Sequence, residues 1–388
     1  MRKIRFATAI PDFSRKRGGA ERYLVDLCSR LAGEDFEVHV YAENWKDEGR
    51  GIHFHPVKTI PFPKSLRLLS FAVRATRAMT NGHYDVTLGV GNTLRADVLQ
   101  PHGGVHGAWF WRSLRAYDHP FLWGIKFLGR VLSPKQWVQG YIENAPYKKN
   151  DFCRIVAISD MVKRDVMRWH GVSEEKITVV YNGVDVEHFH PRNRQYRDEM
   201  RRRHGIGDEF VILFVSNNFR MKGLRHLITA LGDLKKEKYT PFKFLVLGRD
   251  KKAPYVRLAK KMGISEEVVF AGSTNEPEKY YGAADILVHP TFYDACSLTV
   301  LEALASGLPV ITTASNGASG VLSHGEDGWV IRDMKNGDQL KRAIKYFLDD
   351  KVREQALNHG RGKAERHGNQ LNFDQMMEAF RRAIKRRR

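Results

Sequence analysis

Apolar positions along the chain alternate between two rhythms. Short apolar runs bounded by turns predict strands over residues 3–10, 36–42, 85–90, 96–101 and 154–159. Between them the spacing turns helical. Residues 20–32 put Leu24, Leu27, Cys28 and Leu31 on one stripe, and residues 160–170 follow a capping Ser159 and stop at Gly171. A turn from Tyr181 to Asp185, then His190-Pro191 and a polar stretch to Gly207, predict a domain boundary. The rhythm then restarts. Strands are predicted over 210–216, 242–248, 268–272, 285–290, 309–314 and 328–331, with helices over 223–234, 255–262, 276–284 and 297–306, and helix again from Asn336 onward. Two blocks of alternating strand and helix predict an α/β protein of two Rossmann-like domains with parallel sheets, residues 1–190 and 191–371.

Composition narrows the setting. A chain of 388 residues is long enough for two cores. It has no apolar run of membrane-spanning length, and the first residues run straight into a strand pattern without a signal peptide's apolar region. Cys28, Cys153 and Cys296 are scattered, so a reducing cytoplasmic location is expected. The net charge of +20 points to polyanionic partners. With no zinc-finger spacing or aromatic RNA-binding motif, an anionic membrane or glycolipid is expected and nucleic acid is not. Residues 105–130 interleave Trp109, Phe110, Trp111, Phe121, Leu122, Trp123, Phe127 and Leu128 with Arg112, Arg115, Lys126 and Arg130. Two readings fit: a segment lying in a membrane interface, on the inner face of the cytoplasmic membrane, or core helices with a basic outer face.

The chemistry concentrates between His289 and Val310. Asp294 falls in a loop after a buried strand, and the amides of Ser297, Leu298 and Thr299 open the next helix, an arrangement that attracts phosphate. Glu302 follows on that helix. Arg220 and Lys222 sit just past another strand, where fixed cations suit a diphosphate. Gly18-Gly19 links the first strand to the first helix, beside Arg15 and Arg17, and lets backbone approach a ligand. His102 and His106 follow a strand end. Acids do not cluster with histidines at metal spacing, so neither a metal nor another cofactor is expected.

The segment from Asp294 resembles the signature of the family 4 retaining glycosyltransferases, which have the GT-B fold. The pattern is an acid, seven residues, Glu, Ala and later Gly-Leu-Pro-Val; here it reads Asp294, Glu302, Ala303 and Gly307 to Val310, with Asp294 one methylene shorter than the family's Glu. The resemblance implies two domains facing across a cleft, with the last helix, 372–388, returning to the first. It implies that Glu302 binds the donor ribose, that Asp294 contacts the sugar, and that the backbone at Cys296, Ser297 and Leu298 holds the distal phosphate. Lys222-Gly223 matches the family's Lys-Gly; the usual Arg falls nearer Asn217, and Arg220 stands in for it. Gly18, Gly19, Asn217 and Gly272 are implied donor contacts. His102 is implied beside the sugar, with His106 the second choice for that place or for the acceptor. The implied reaction is retaining transfer of glucose or a related hexose from a UDP-sugar to a lipopolysaccharide-core or lipid-linked glycan, as in the lipopolysaccharide core glucosyltransferases. A nucleotide-sugar epimerase of the same fold and a non-catalytic polyanion-binding protein are the alternatives.

Overall fold

The structure, a computed structural model, describes residues 2–15, 18–46, 49–149, 152–238 and 240–387. The chain divides into two compact units, residues 1–181 with 373–388, and residues 182–372. The division falls earlier than the expected 190/191. Residues 182–190 belong to the second unit because Val184 exchanges backbone hydrogen bonds with His367 and Asn369, and the Phe189 ring packs edge-on against Tyr281. The last helix is Asn369–Arg387, three residues longer at its start than expected, and the chain changes unit within it.

The first unit holds a seven-stranded sheet in the order Ile52–Pro56, Phe36–Ala42, Ile4–Ala9, Val86–Gly89, Val98–Leu99, Arg154–Ala157 and Ile177–Val179, and every pairing is parallel. The helix Gly19–Ala32 buries Leu24, Val25, Leu27, Cys28 and Leu31 against it. Phe373, Met376, Ala379, Phe380 and Ala383 of the last helix enter the same core, with Phe380 against Phe6. The strand at 52–56 and the long helix Lys64–Asn81 were not predicted. That strand is a half-exposed edge, and the helix leaves Leu66 and Val73 exposed, so its apolar residues do not fall on one stripe.

The second unit has six parallel strands ordered Val268–Gly272, Phe242–Leu247, Phe210–Val215, Ile286–His289, Val310–Thr313 and Gly328–Ile331. Counted within the unit this is 3-2-1-4-5-6, the doubly wound order of Rossmann domains. Its central strands are apolar on both faces: Val211, Ile212, Leu213 and Phe214 are all but inaccessible, because helices cover both sides.

Candidate functional site

In a sheet of this order, connections leave the first and fourth strands in opposite directions and open a crevice at their carboxyl ends. Those strands are Phe210–Val215 and Ile286–His289, so the loops carrying Lys222 and Asp294 meet there. Gly223 allows the meeting. It caps the helix Leu224–Lys236 at φ 76°, and a Cβ on it would lie 2.1 Å from the Pro290 carbonyl oxygen. Lys222 Nζ then reaches Asp294 Oδ2 at 2.5 Å and donates to the Tyr293 carbonyl at 3.3 Å. The Asp294 backbone is pinned in turn: its amide donates to Ser315 O and its carbonyl accepts from Gly317 N. His289 Nε2 lies 3.4 Å from the same Asp294 oxygen. Burial pushes the His289 imidazole down and favours its neutral form, against the pull of Asp294. Burial alone would raise the Asp294 carboxyl. Lys222 and His289 together outweigh it and hold the group below its usual range, as an anion.

The helix Leu298–Ala305 begins directly after this pair. The Ser297 amide, expected to be available to a ligand, instead donates to Asn316 Oδ1 at 3.3 Å, which fixes the helix entry. The amides of Leu298 and Thr299 lie in the first turn, where helix geometry supplies no acceptor. Cys296 contributes backbone only: burial pushes its thiol up to about 12, and its carbonyl accepts from Asn182 Nδ2 at 3.0 Å. Glu302 lies one turn further on, half-buried, and accepts a 2.8 Å hydrogen bond from the Tyr281 hydroxyl. Arg220 is exposed and hydrogen-bonds the Tyr255 hydroxyl. Asn217 Oδ1 accepts from the Arg249 amide at 3.0 Å, and the Gly272 carbonyl accepts from Gly248 N at 2.8 Å. These last two contacts tie together the ends of neighbouring strands.

In the first unit, His102 is buried and lies 4.7 Å, ring to ring, from Tyr23 of the helix that Gly18 caps and Gly19 begins. His102 and His106 both line a cavity of about 310 Å³ shared with Asn92, Trp109, Gln139 and Glu143. His106 is held by hydrogen bonds. Its amide donates to both Glu143 oxygens and its ring Nε2 lies 2.8 Å from Gln136 Oε1. Arg15 pairs with Asp26, whereas Arg17 lies outside the described residues.

Two family descriptions match the chain in succession, Glycosyltransferase Family 4 over residues 17–188 and Glycosyl transferases group 1 over residues 196–365. The chain belongs to the family 4 and group 1 glycosyltransferases. It is similar to lipopolysaccharide glucosyltransferase WaaG of Escherichia coli K12, at 23% identity over 85% of this chain and 86% of that protein. It is also similar to a GDP-mannose-dependent phosphatidylinositol monomannoside mannosyltransferase of Mycobacterium tuberculosis, at 24% identity over 89% of each. Among solved structures, WaaG superposes with a TM-score of 0.78 at 20% identity, covering 97% of this chain and 98% of that one. Anabaena HepE in complex with UDP-glucose superposes with a TM-score of 0.70 at 17% identity over 97% and 98%. The fold is GT-B. Membership in a glycosyltransferase family sets aside the epimerase and the non-catalytic polyanion binder.

For this glycosyltransferase, the motif residues Lys222 and Asp294 come together, and Glu302 stands one turn along the adjoining helix. Sequence reasoning did not find His289, Tyr281, Asn182 or Asn316. Only Asn316 left a signal, an Asn before a Gly-Ala-Ser helical start, where its side chain also accepts from Ala318 N. Residues 105–130 fold as two helices, His106–Leu114 and Pro120–Val131. The second is inverted relative to a core helix: Phe121, Leu122, Ile125 and Leu128 are each more than half exposed, and Arg130 is the residue it buries. Arg130 donates to Phe110 O and Ser113 Oγ and lies over the Trp109 ring. The core reading of this helix is therefore corrected. Among the described residues no helix is long and apolar enough to cross a membrane, and no three His, Cys, Asp or Glu side chains are grouped to hold a metal ion.

Proposed function

We propose that this glycosyltransferase moves glucose or a related hexose from a UDP-sugar to a lipopolysaccharide-core or other lipid-linked glycan, with the anomeric configuration retained. One observation carries the reading: Lys222, Asp294 and Glu302 gather at the topological switch point, around a helix start. Glu302 suits the ribose hydroxyls, and the first-turn amides of Leu298 and Thr299 suit the distal phosphate. Asp294 faces the sugar hydroxyls and holds Lys222 in place. The acceptor oxygen bonds to the anomeric carbon as the bond to the diphosphate breaks, and the departing diphosphate takes the electron pair and the acceptor's proton. Lys222 and Arg220 neutralise the growing charge, with no metal required.

HepE with bound UDP-glucose supports a UDP-linked donor, and the glucosyltransferase WaaG supports glucose as the sugar transferred. We assign the first unit's cavity, walled by His102 and His106, to the acceptor side. The +20 charge and the outward apolar side of Pro120–Val131 support an anionic glycolipid acceptor and peripheral contact with the inner face of the cytoplasmic membrane. A hydrolysis and transfer screen across nucleotide-sugars, with product anomers read by NMR, tests the proposal. Release of UDP with an α-product from an α-donor is expected. Turnover of no nucleotide-sugar, or inversion, would overturn it.

A further inference from the structure

We propose that Tyr281 is a positioning residue for the donor, its buried hydroxyl fixing the Glu302 carboxylate to receive the ribose hydroxyls. The inference rests on the reading of Glu302 as the ribose contact. Tyr281 stands on the short helix Pro277–Ala283 and is wholly inaccessible. A buried phenol needs a partner. This one has two acceptors in range, Glu302 Oε2 at 2.8 Å and the Thr299 carbonyl at 3.4 Å. The single proton goes to the nearer, charged oxygen.

The ring cannot swing away. Phe189 meets it edge-on at 5.5 Å and 89°, and the next residue, Gly282, lies so close to the 191–196 segment that a Cβ there would sit 2.1 Å from the Asn193 carbonyl oxygen. Burial, reinforced by the Glu302 charge, pushes the hydroxyl well above its ordinary value, so it remains a donor throughout the working pH range. Glutamate has several side-chain torsions and loses much freedom when it is ordered. A carboxylate offers about four acceptor positions, and the tyrosine takes one of them. Tyr281 thus orders the side chain before the nucleotide arrives.

The test uses the full chain and calorimetry with UDP and GDP, each beside its 2′,3′-dideoxy form. Tyr281→Phe keeps the ring and removes the oxygen. It should weaken ribonucleotide binding by roughly tenfold, the factor for one charge-assisted hydrogen bond. Dideoxynucleotide binding should match wild type, which also reports an intact fold. Donor KM should rise by the same factor, with kcat at saturating donor held. Glu302→Ala should abolish the preference for ribose in either background. Equal loss of both nucleotide forms in Tyr281→Phe, or no loss, overturns the positioning role. If Glu302→Ala keeps the wild-type preference, or wild type binds neither nucleotide, the donor reading falls as well. A preference lost in Glu302→Ala but intact in Tyr281→Phe sinks the Tyr281 inference alone.

Discussion

Replacing Lys222 with Met removes the cation and keeps most of the side-chain length, isolating the charge at the centre of the site. Exposed ion pairs contribute up to about 1 kcal/mol, and breaking a fully buried pair costs about 3–5 kcal/mol. Lys222 and Asp294 are 17% and 20% exposed, between those limits, so Lys222→Met should cost roughly 2 kcal/mol near neutral pH. The pH dependence should also change sign. In wild type the folded Asp294 carboxyl lies below its unfolded value, so its stabilisation is complete above the ordinary carboxylate range and is lost as pH falls toward the folded value. Without Lys222, burial is opposed only by His289 and the carboxyl rises above its unfolded value. Acidification through that range should then restore stability. The double variant Lys222→Met/Asp294→Asn should recover most of the loss at neutral pH. Urea unfolding from pH 4 to 8 measures all three proteins. A single variant as stable as wild type, or a double variant no better than the single, would refute the reasoning.

Gly223→Ala forces a Cβ against Pro290 O in a left-handed backbone, and should cost at least ~1 kcal/mol by thermal unfolding together with loss of turnover. Changing Leu122, Ile125 and Leu128 together to Gln should abolish co-sedimentation with anionic liposomes at low salt and leave the melting temperature unchanged, because these side chains are more than half exposed. Burial pushes His39 down, with Glu37 in partial opposition, so the folded state resists its protonation. Stability should fall as pH drops below the ordinary histidine value, and His39→Phe should flatten that slope in a pH series of melts. Prolonged dialysis against EDTA should leave transfer activity intact; its loss, restored by a divalent cation, would overturn the cation-only neutralisation.

Most strands of both sheets were legible in the sequence because buried parallel strands leave short apolar runs with turns at each end; the partly exposed strands at 52–56 and 177–179 leave no such run. Lys222, Asp294 and Glu302 stood out through the motif they share with the family, and the fold brings Lys222 and Asp294 into contact. His289 did not, since a histidine at a strand end carries no sign of the carboxylate it will meet. Tyr281 meets Glu302 across the intervening strand and loop, and Asn182 meets Cys296 from 114 residues away; neither contact follows a fixed spacing that pattern could show. Residues 120–131 left two readings open. Their composition fits a core helix, and only tertiary structure reveals that the buried side chain is Arg130.

The last helix has a consequence for how the protein is made. Met376 and Phe380 are inaccessible within the first unit, with Phe380 packed on Phe6 of the opening strand. Translation delivers that strand first and these partners only after the whole second unit has emerged. The first unit's core therefore keeps an open apolar slot until residues 373–383 have been made. A chain released before residue 373 leaves that slot unfilled, exposing the surface that quality-control proteases and chaperones engage.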